Sequence, residues 1–389
     1  MKILHIGKFY PPHPGGIETY LGALCSGLAR VDEVNVIVAN DRAQSTTESI
    51  DGVRVRRLAP IATIAATPIC LRMIREIRAA PAAIAHLHVP NPFACVAFLA
   101  SHHPAPLIVS WHSDIVRQRL LGRLFQPIER ALVRRAAALV VSSANYLESS
   151  PTLARNRERC AVIPFGIDAT ELQRAPSTRV TTLRERYGSR IVLAVGRLVY
   201  YKGFDHLIRA MPAVDGHLVI VGEGPLRMKL ERVAAHAGVA ARVSFMGNLS
   251  RDELIDLYQA AAVFVLPSVA RSETFGIVQL EAMTCGKPVI NTRLPSGVPF
   301  VSIDGETGIT VEPGAPEPLA RAINRLLDDP ILSAAYGAAG RRRVREHFSR
   351  ATMVDRTRDL YQQVLERRGA NLIGMRNSDT DRPRSSLPV

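Results

Sequence analysis

Cysteine is sparse in this chain. Five occur in 389 residues, at positions 25, 70, 95, 160 and 285, and no two form a Cys-x-x-Cys pair. That excludes a disulfide framework and offers no zinc-site spacing, so a reducing, cytoplasmic location is expected. Long apolar runs are also missing. None reaches the about 18 residues of a membrane helix, and the nearest, Leu58 to Leu71, is broken by Pro60 and Pro68. The opening Met1-Lys2-Ile3-Leu4 leads into a strand-like run, not a signal peptide. Aromatic residues make up only 5% and are not interleaved with the basic ones. This counts against a non-enzymatic nucleic-acid binder, the class that the excess of positive charge would otherwise suggest.

Apolar residues are present in quantity. At 47% they suffice for two separate cores. The formal charge of +14 is uneven: about +8 lies in residues 1–165, none in 166–340, and +6 in 341–389. Basic regions of this kind attract anionic lipid or nucleic acid, or simply form a solvated surface.

Apolar strand-like runs alternate with longer amphipathic ones, the pattern of parallel β/α units. Ile3–Ile6, Val34–Ala39, Val53–Leu58, Ile84–His88 and Leu107–Trp111 belong to a first set. The pattern restarts at Ile191–Val195 and continues through His217–Val221, Val243–Phe245, Val263–Leu266, Val289–Asn291 and Gly308–Val311. This predicts an α/β protein of two doubly wound, Rossmann-like domains. The first covers residues 1–170 and the second 171–350. A helix over 351–368 is expected to pack back on the first domain, and 369–389, poor in large apolar groups, is expected to be a disordered tail.

Ligands of doubly wound sheets bind beyond the carboxyl ends of the strands, and several chemical motifs fall there. Pro11-Pro12-His13-Pro14-Gly15-Gly16 follows the first strand and precedes a helix. Paired glycines admit a ligand close to the backbone, and a helix start favours an anion. Arg197 and Lys202 share one βα loop, which suits a diphosphate. Gly222-Glu223-Gly224-Pro225 follows the next strand and lacks the third glycine of a dinucleotide fingerprint. His112 ends a strand in Trp111-His112-Ser113-Asp114, where it can donate a hydrogen bond to a substrate oxygen or be structural. His86, His88, His102 and His103 lack metal-ligand spacing, so no metal is expected. Finally, Glu273 precedes Phe275-Gly276, and Glu281 lies eight positions on in a helix-like run. A carboxylate in a cleft needs polar partners.

The ordered set P-P-x-x-G-G-I-E, W-H-S-D, I-P-x-G-I-D, G-R-x4-K-G, V-G-E-G-P and E-x7-E with F-G resembles the retaining glycosyltransferases of the GT-B fold, family 4 (glycosyl transferases group 1). The likeness spans about residues 1–365. It implies two domains facing across a cleft and a nucleotide-diphosphate sugar as substrate, with no cofactor. In such a site Glu273 would meet the donor sugar, and the backbone N–H groups of Phe275, Gly276 and Ile277 would face its phosphate. Glu281 would hold the ribose. Arg197 and Lys202 would neutralise the departing diphosphate. Gly15 and Gly16 would approach that diphosphate, His112 would contact the sugar near the reacting centre, and Glu223 and Gly224 would flank the nucleotide. Thr274 departs from the proline usual after the first Glu.

The segment 291–302 is similar to that of bacterial mannosyl- and rhamnosyltransferases of O-antigen and exopolysaccharide assembly. That favours GDP-mannose or a related GDP-sugar, with a UDP-sugar as competitor, and a lipid-linked or saccharide acceptor. Ile115 to Arg135 sets six arginines among leucines and isoleucines. Such a profile suits peripheral binding to the inner face of an anionic membrane, or an ordinary surface helix.

Overall fold

The computed structural model describes residues 1–64, 67–114 and 119–380, without the side chains of 119–124 and 371–380. It divides into two compact units. One comprises Met1–Val140, Glu158–Ile163 and Val354–Val389; the other comprises Val141–Arg157 and Pro164–Met353.

Strands β1 (Lys2–Ile6), β2 (Glu33–Ala39), β3 (Thr46–Ile50) and β4 (Val53–Leu58) open the first unit. A short hairpin of β5 (Ala62–Ile64) and β6 (Thr67–Ile69) follows, then β7 (Ile84–Val89), β8 (Leu107–Trp111), β9 (Ala136–Val141) and β10 (Cys160–Val162). The main sheet runs β10-β9-β8-β7-β1-β2-β4-β3. Pairs β1–β2, β1–β7, β2–β4, β7–β8 and β8–β9 are parallel, and β3 lies antiparallel to β4. Burial on both faces explains the near-continuous apolar runs: all six residues of β7 and all five of β8 are buried.

The second unit carries β11 (Ile191–Val195), β12 (His217–Val221), β13 (Val243–Phe245), β14 (Val263–Val265), β15 (Val289–Thr292) and β16 (Gly308–Val311). These pair in parallel in the order β13-β12-β11-β14-β15-β16. Numbered from its own first strand, this is the 3-2-1-4-5-6 order of a dinucleotide-binding sheet. The order reverses between β11 and β14, so the loops after those two strands flank the switch point.

A single cut at residue 170 does not describe these units. Residues 141–157 and 164–170 belong with the second, and the chain returns to the first for β10 and for the terminal helix from Val354 onward. That helix, Arg350–Thr380, extends well into the stretch expected to be a disordered tail; residues 381–389 lie outside the described residues. Its attachment to the first unit is chemical as well as apolar. Arg358 Nε donates to Asp32 Oδ2 (2.9 Å), and the terminal ammonium of Met1 donates to Asp32 Oδ1 (2.6 Å). Tyr361 is fully buried, and a side chain added at Gly27 would strike Val354.

Candidate active site

Lys202 and Glu273 are placed together by the topology. Lys202 closes the loop after β11, and Glu273 lies in the loop after β14. Lys202 Nζ stands 2.6 Å from Glu273 Oε2, and Ser268 Oγ donates to the same oxygen at 3.0 Å. Lys202 and Glu273 are each only 8% exposed. An unpaired charge there would carry a large desolvation cost, so each supplies the other's counter-charge. Both known partners sit on Oε2, and Oε1 has no partner among the described residues. Ser268 carries no motif of its own, and its contribution is visible only in the fold.

The chain then turns through Phe275 and Gly276 into the helix Ile277–Thr284. Gly276 has φ +73°, a left-handed conformation that glycine adopts without strain, and an added Cβ would lie 2.5 Å from Leu266 Cδ2. Phe275 is buried against Phe165 and Phe348. Packing thus fixes the turn from below while the first helical N–H groups lack intrahelical acceptors.

Glu281 lies one turn further along and is separate from the Lys202–Glu273 pair. Arg251 Nη1 donates to its Oε1 at 2.5 Å, and buried Tyr258 Oη donates to its Oε2 at 2.8 Å. Burial and the neighbouring Glu281 push the Tyr258 phenol well above its ordinary range, so it remains a donor. Arg251 opens a helix held by a Ser250–Glu253 capping box, and neither Arg251 nor Tyr258 was singled out in the sequence.

Arg197 is exposed in the loop after β11. Glu223 is exposed too, with Arg227 Nη1 3.7 Å away. Gly224 has a packing explanation: a Cβ there would lie 2.6 Å from the Leu198 carbonyl oxygen. The loops after β11 and β12 are stacked backbone to backbone, with Leu198 N donating to Glu223 O at 2.9 Å.

The remaining expected residues lie in the first unit. Gly15 caps the helix Gly16–Leu28, and a Cβ at Gly15 would meet Glu18 Oε2 at 2.0 Å. The carboxylate of Glu18, in the first turn of that helix, is thus packed beside Gly15 and is largely buried. His112 is buried just beyond β8, its Nε2 3.0 Å from His88 Nδ1. Burial lowers its pKa to about 3, so the ring is neutral near pH 7. His5, His86 and His88 bring ring nitrogens within 4.8 Å of one another, a grouping invisible while β1 and β7 are read separately. No carboxylate stands among them, and His88 is already hydrogen-bonded to both His5 and His112. His102 and His103 are not in that group.

Known proteins match over nearly the whole chain. The family Glycosyl transferases group 1 matches residues 181–343, and Glycosyl transferase 4-like domain matches residues 15–166. O-antigen chain mannosyltransferase C of Escherichia coli is 33% identical, over 94% of this chain and 99% of that protein. D-rhamnosyltransferase WbpZ of Pseudomonas aeruginosa is 32% identical, over 90% and 92% respectively. A GDP-mannose-dependent alpha-(1-6)-phosphatidylinositol monomannoside mannosyltransferase of Mycolicibacterium smegmatis is 32% identical, over 87% and 92%. Among solved structures, Anabaena HepE with UDP and glucose superposes with a TM-score of 0.78 at 21% identity, covering 93% of this chain and all of that one. Sucrose-phosphate synthase from Thermosynechococcus elongatus gives 0.77 at 24%, covering 94% and 99%. These structural likenesses establish the fold class, GT-B.

Proposed function

This chain belongs to the glycosyl transferases group 1 family and is a hexosyltransferase, and from that premise we propose that it moves a hexose from GDP-mannose or a related GDP-sugar to a lipid-linked or saccharide acceptor, with retention at the anomeric carbon, in O-antigen, exopolysaccharide or glycolipid assembly. The observation that carries this reading is the buried Lys202–Glu273 pair at the switch point of the second sheet. Lys202 has three N–H donors and gives one to Glu273. The others suit oxygens of a diphosphate. Glu273 Oε1 suits a sugar hydroxyl. Breaking the sugar–diphosphate bond leaves positive charge on the sugar and negative charge on the departing oxygen. Lys202, Arg197 and the N–H groups at Phe275, Gly276 and Ile277 supply the fixed positive potential for the latter, in the place of a metal ion. Glu281, held by Arg251 and Tyr258, presents its remaining lone pairs to ribose hydroxyls. By the family resemblance, Glu223 and Gly224 flank the nucleotide, and Gly15, Gly16 and His112 of the first unit keep the donor-facing roles expected from the sequence.

The choice of GDP rests on the mannosyl and rhamnosyl relatives, whose identity exceeds that of the UDP-bound structures. A thermal-shift comparison of GDP, UDP and ADP tests it, because a ligand bound by the native state alone raises the melting temperature. GDP should give the largest shift; a larger one with UDP transfers the reading to a UDP-sugar.

A lipid-linked acceptor would bring the enzyme to an anionic membrane surface. Among the described residues no helix is long and apolar enough to cross a bilayer, so contact would be peripheral. Residues 115–118 of the basic segment lie outside the described residues; the rest forms the helix Arg119–Arg135. Arg135 Nη2 is engaged by the carbonyls of His103 and Ala105, and Leu132 and Val133 are buried, so only part of the segment suits a lipid surface. Flotation with liposomes of anionic lipid should show salt-sensitive binding; protein left at the bottom of the gradient at low salt rejects this membrane contact.

A further inference from the structure

A buried pair of side-chain amides lies beneath the turn at Phe275 and Gly276. Gln279 is on the helix that follows the turn, and Asn291 is on β15; both are fully buried. Gln279 Nε2 donates to the Phe275 carbonyl at 3.0 Å and to the Val298 carbonyl at 3.4 Å. Its Oε1 accepts from Asn291 Nδ2 at 3.0 Å. Asn291 Nδ2 also donates to the carbonyls of Val298 (3.0 Å) and Ser302 (3.1 Å). Asn291 Oδ1 accepts from Thr310 Oγ1 at 2.8 Å, across the β15–β16 pair where the two residues stand opposite. These partners settle which way each amide points. A rotated Gln279 would set its oxygen against two carbonyls. A rotated Asn291 would set its oxygen against two carbonyls and the Gln279 oxygen.

The consequence falls on the backbone of the turn. An N–H at a helix start can close on a carbonyl three or four residues back. For Ile277 and Val278 those carbonyls belong to Glu273, Thr274 and Phe275. The Thr274 carbonyl accepts instead from Gly297 N at 2.7 Å, and the Phe275 carbonyl accepts from Gln279. Among the described residues the N–H groups of Gly276, Ile277 and Val278 have no acceptor. A Cβ at Gly276 would lie 2.9 Å from Gln279 Nε2, so the amide packs directly under the turn. Asn291, Gly297, Val298 and Ser302 all belong to 291–302, the segment similar to that of mannosyl- and rhamnosyltransferases.

We propose that Gln279, oriented by Asn291, is a positioning residue for the donor's diphosphate. It holds the Phe275 carbonyl inward, so that the N–H groups of Gly276 and Ile277 stay open to a phosphate. Both amides are buried and act through the backbone. The inference rests on the phosphate-binding role given to this turn in the function proposed above.

The test is calorimetry on the full chain with GDP and with guanosine, whose comparison isolates the diphosphate. Gln279→Leu removes the donor at similar volume. It should bind GDP about five- to tenfold more weakly, the worth of one hydrogen bond, and guanosine as before. Gln279→Glu should show that loss near pH 8.5, where a carboxylate has no proton to give. Relative to wild type it should recover near pH 6, where burial keeps the acid protonated. Leu326→Ala, in the apolar core near the start of β11, should destabilise the unit and leave both affinities unchanged. Equal weakening of guanosine by Gln279→Leu, or an unchanged GDP affinity, overturns the proposal. If the wild type prefers UDP or ADP, that diphosphate and its nucleoside take the same places. A wild type that binds no nucleoside diphosphate refutes the function proposed above, and this inference with it; binding that Gln279→Leu leaves intact refutes this inference alone. A ligand-free measurement on wild type decides even where the variants do not fold. With 15N-labelled glutamine, the Gln279 side-chain protons should persist in D2O after those of exposed Gln362 and Gln363 have vanished. Loss at the same rate overturns the clamp.

Discussion

At the residue scale, the two carboxylates of the E-x7-E motif have different surroundings. Glu273 faces a buried ammonium; Glu281 is gripped by an arginine and a phenol. Glu273→Gln keeps the volume and removes the charge, so transfer should fall by about 10²–10³ if the side chain stabilises the transition state. Initial-rate measurements with the chain's melting temperature as a control decide this. Near-normal transfer would refute the role given to Glu273. Tyr258→Phe removes one of the two donors to Glu281 and should cost about 1 kcal/mol of stability. It should also weaken GDP more than 2′,3′-dideoxy-GDP, whose ribose cannot meet Glu281; equal weakening by calorimetry would disconnect Glu281 from the ribose. Glu273, Lys202 and Glu281 were legible in the sequence because charged residues beside turns stand out there. Ser268, Arg251 and Tyr258 were not, because a serine in a loop, an arginine at a helix start and a tyrosine in an apolar run have ordinary structural explanations. Only the fold brings them to a carboxylate.

At the element scale, the strands of the second unit were the most legible part of the chain. Runs such as Ile191–Val195 and His217–Val221 are buried on both faces, so composition alone marks them. The edge strands Thr46–Ile50 and Ala62–Ile64 escaped notice because they are largely exposed and carry little apolar signal, and Thr67–Ile69 because it is only three residues long and contains Pro68. The next helix starts only at Arg72, because Thr67–Ile69 is a strand. The helix Arg119–Arg135 carries Pro127 inside it, a residue that would ordinarily mark a first turn. The turn into Ile277–Thr284 is the element most exposed to mutation. Gly276→Ala places a Cβ at positive φ and against Leu266, and should destabilise the second unit by about 1–3 kcal/mol. Urea unfolding measures this; unchanged stability would mean that the turn relaxes freely and that its geometry is not held by packing.

At the scale of the whole molecule, the buried histidines tie the first unit's stability to pH. In the unfolded chain each imidazole has its ordinary pKa near 6.5. In the folded chain His5 and His112 fall to about 3, and burial holds His86 and His88 well below their ordinary range. The unfolded state therefore binds more protons between those limits. The stability in question is fully present above pH 6.5 and is lost as pH falls, at up to about 1.4 kcal/mol per histidine per pH unit. Circular dichroism should show a steep acid transition beginning below about pH 5.5. A native spectrum at pH 4 would contradict neutral burial of the four rings. None of this could be seen in the sequence, where the histidines of β1, β7 and the end of β8 lie far apart.

The discontinuous first unit also bears on how the protein is made. Its sheet leaves the ribosome early, yet Asp32 still lacks Arg358 and the buried His86 still lacks its hydrogen-bond partner Tyr361. At a synthesis rate of about 5–20 residues per second, the stretch from Val140 to Tyr361 (221 residues) occupies about 10–45 s. The second unit, contiguous but for one early segment, can finish folding within that interval. The portion translated first is thus completed last, and a ribosome stalled before residue 354 releases a chain whose opening sheet has never been closed.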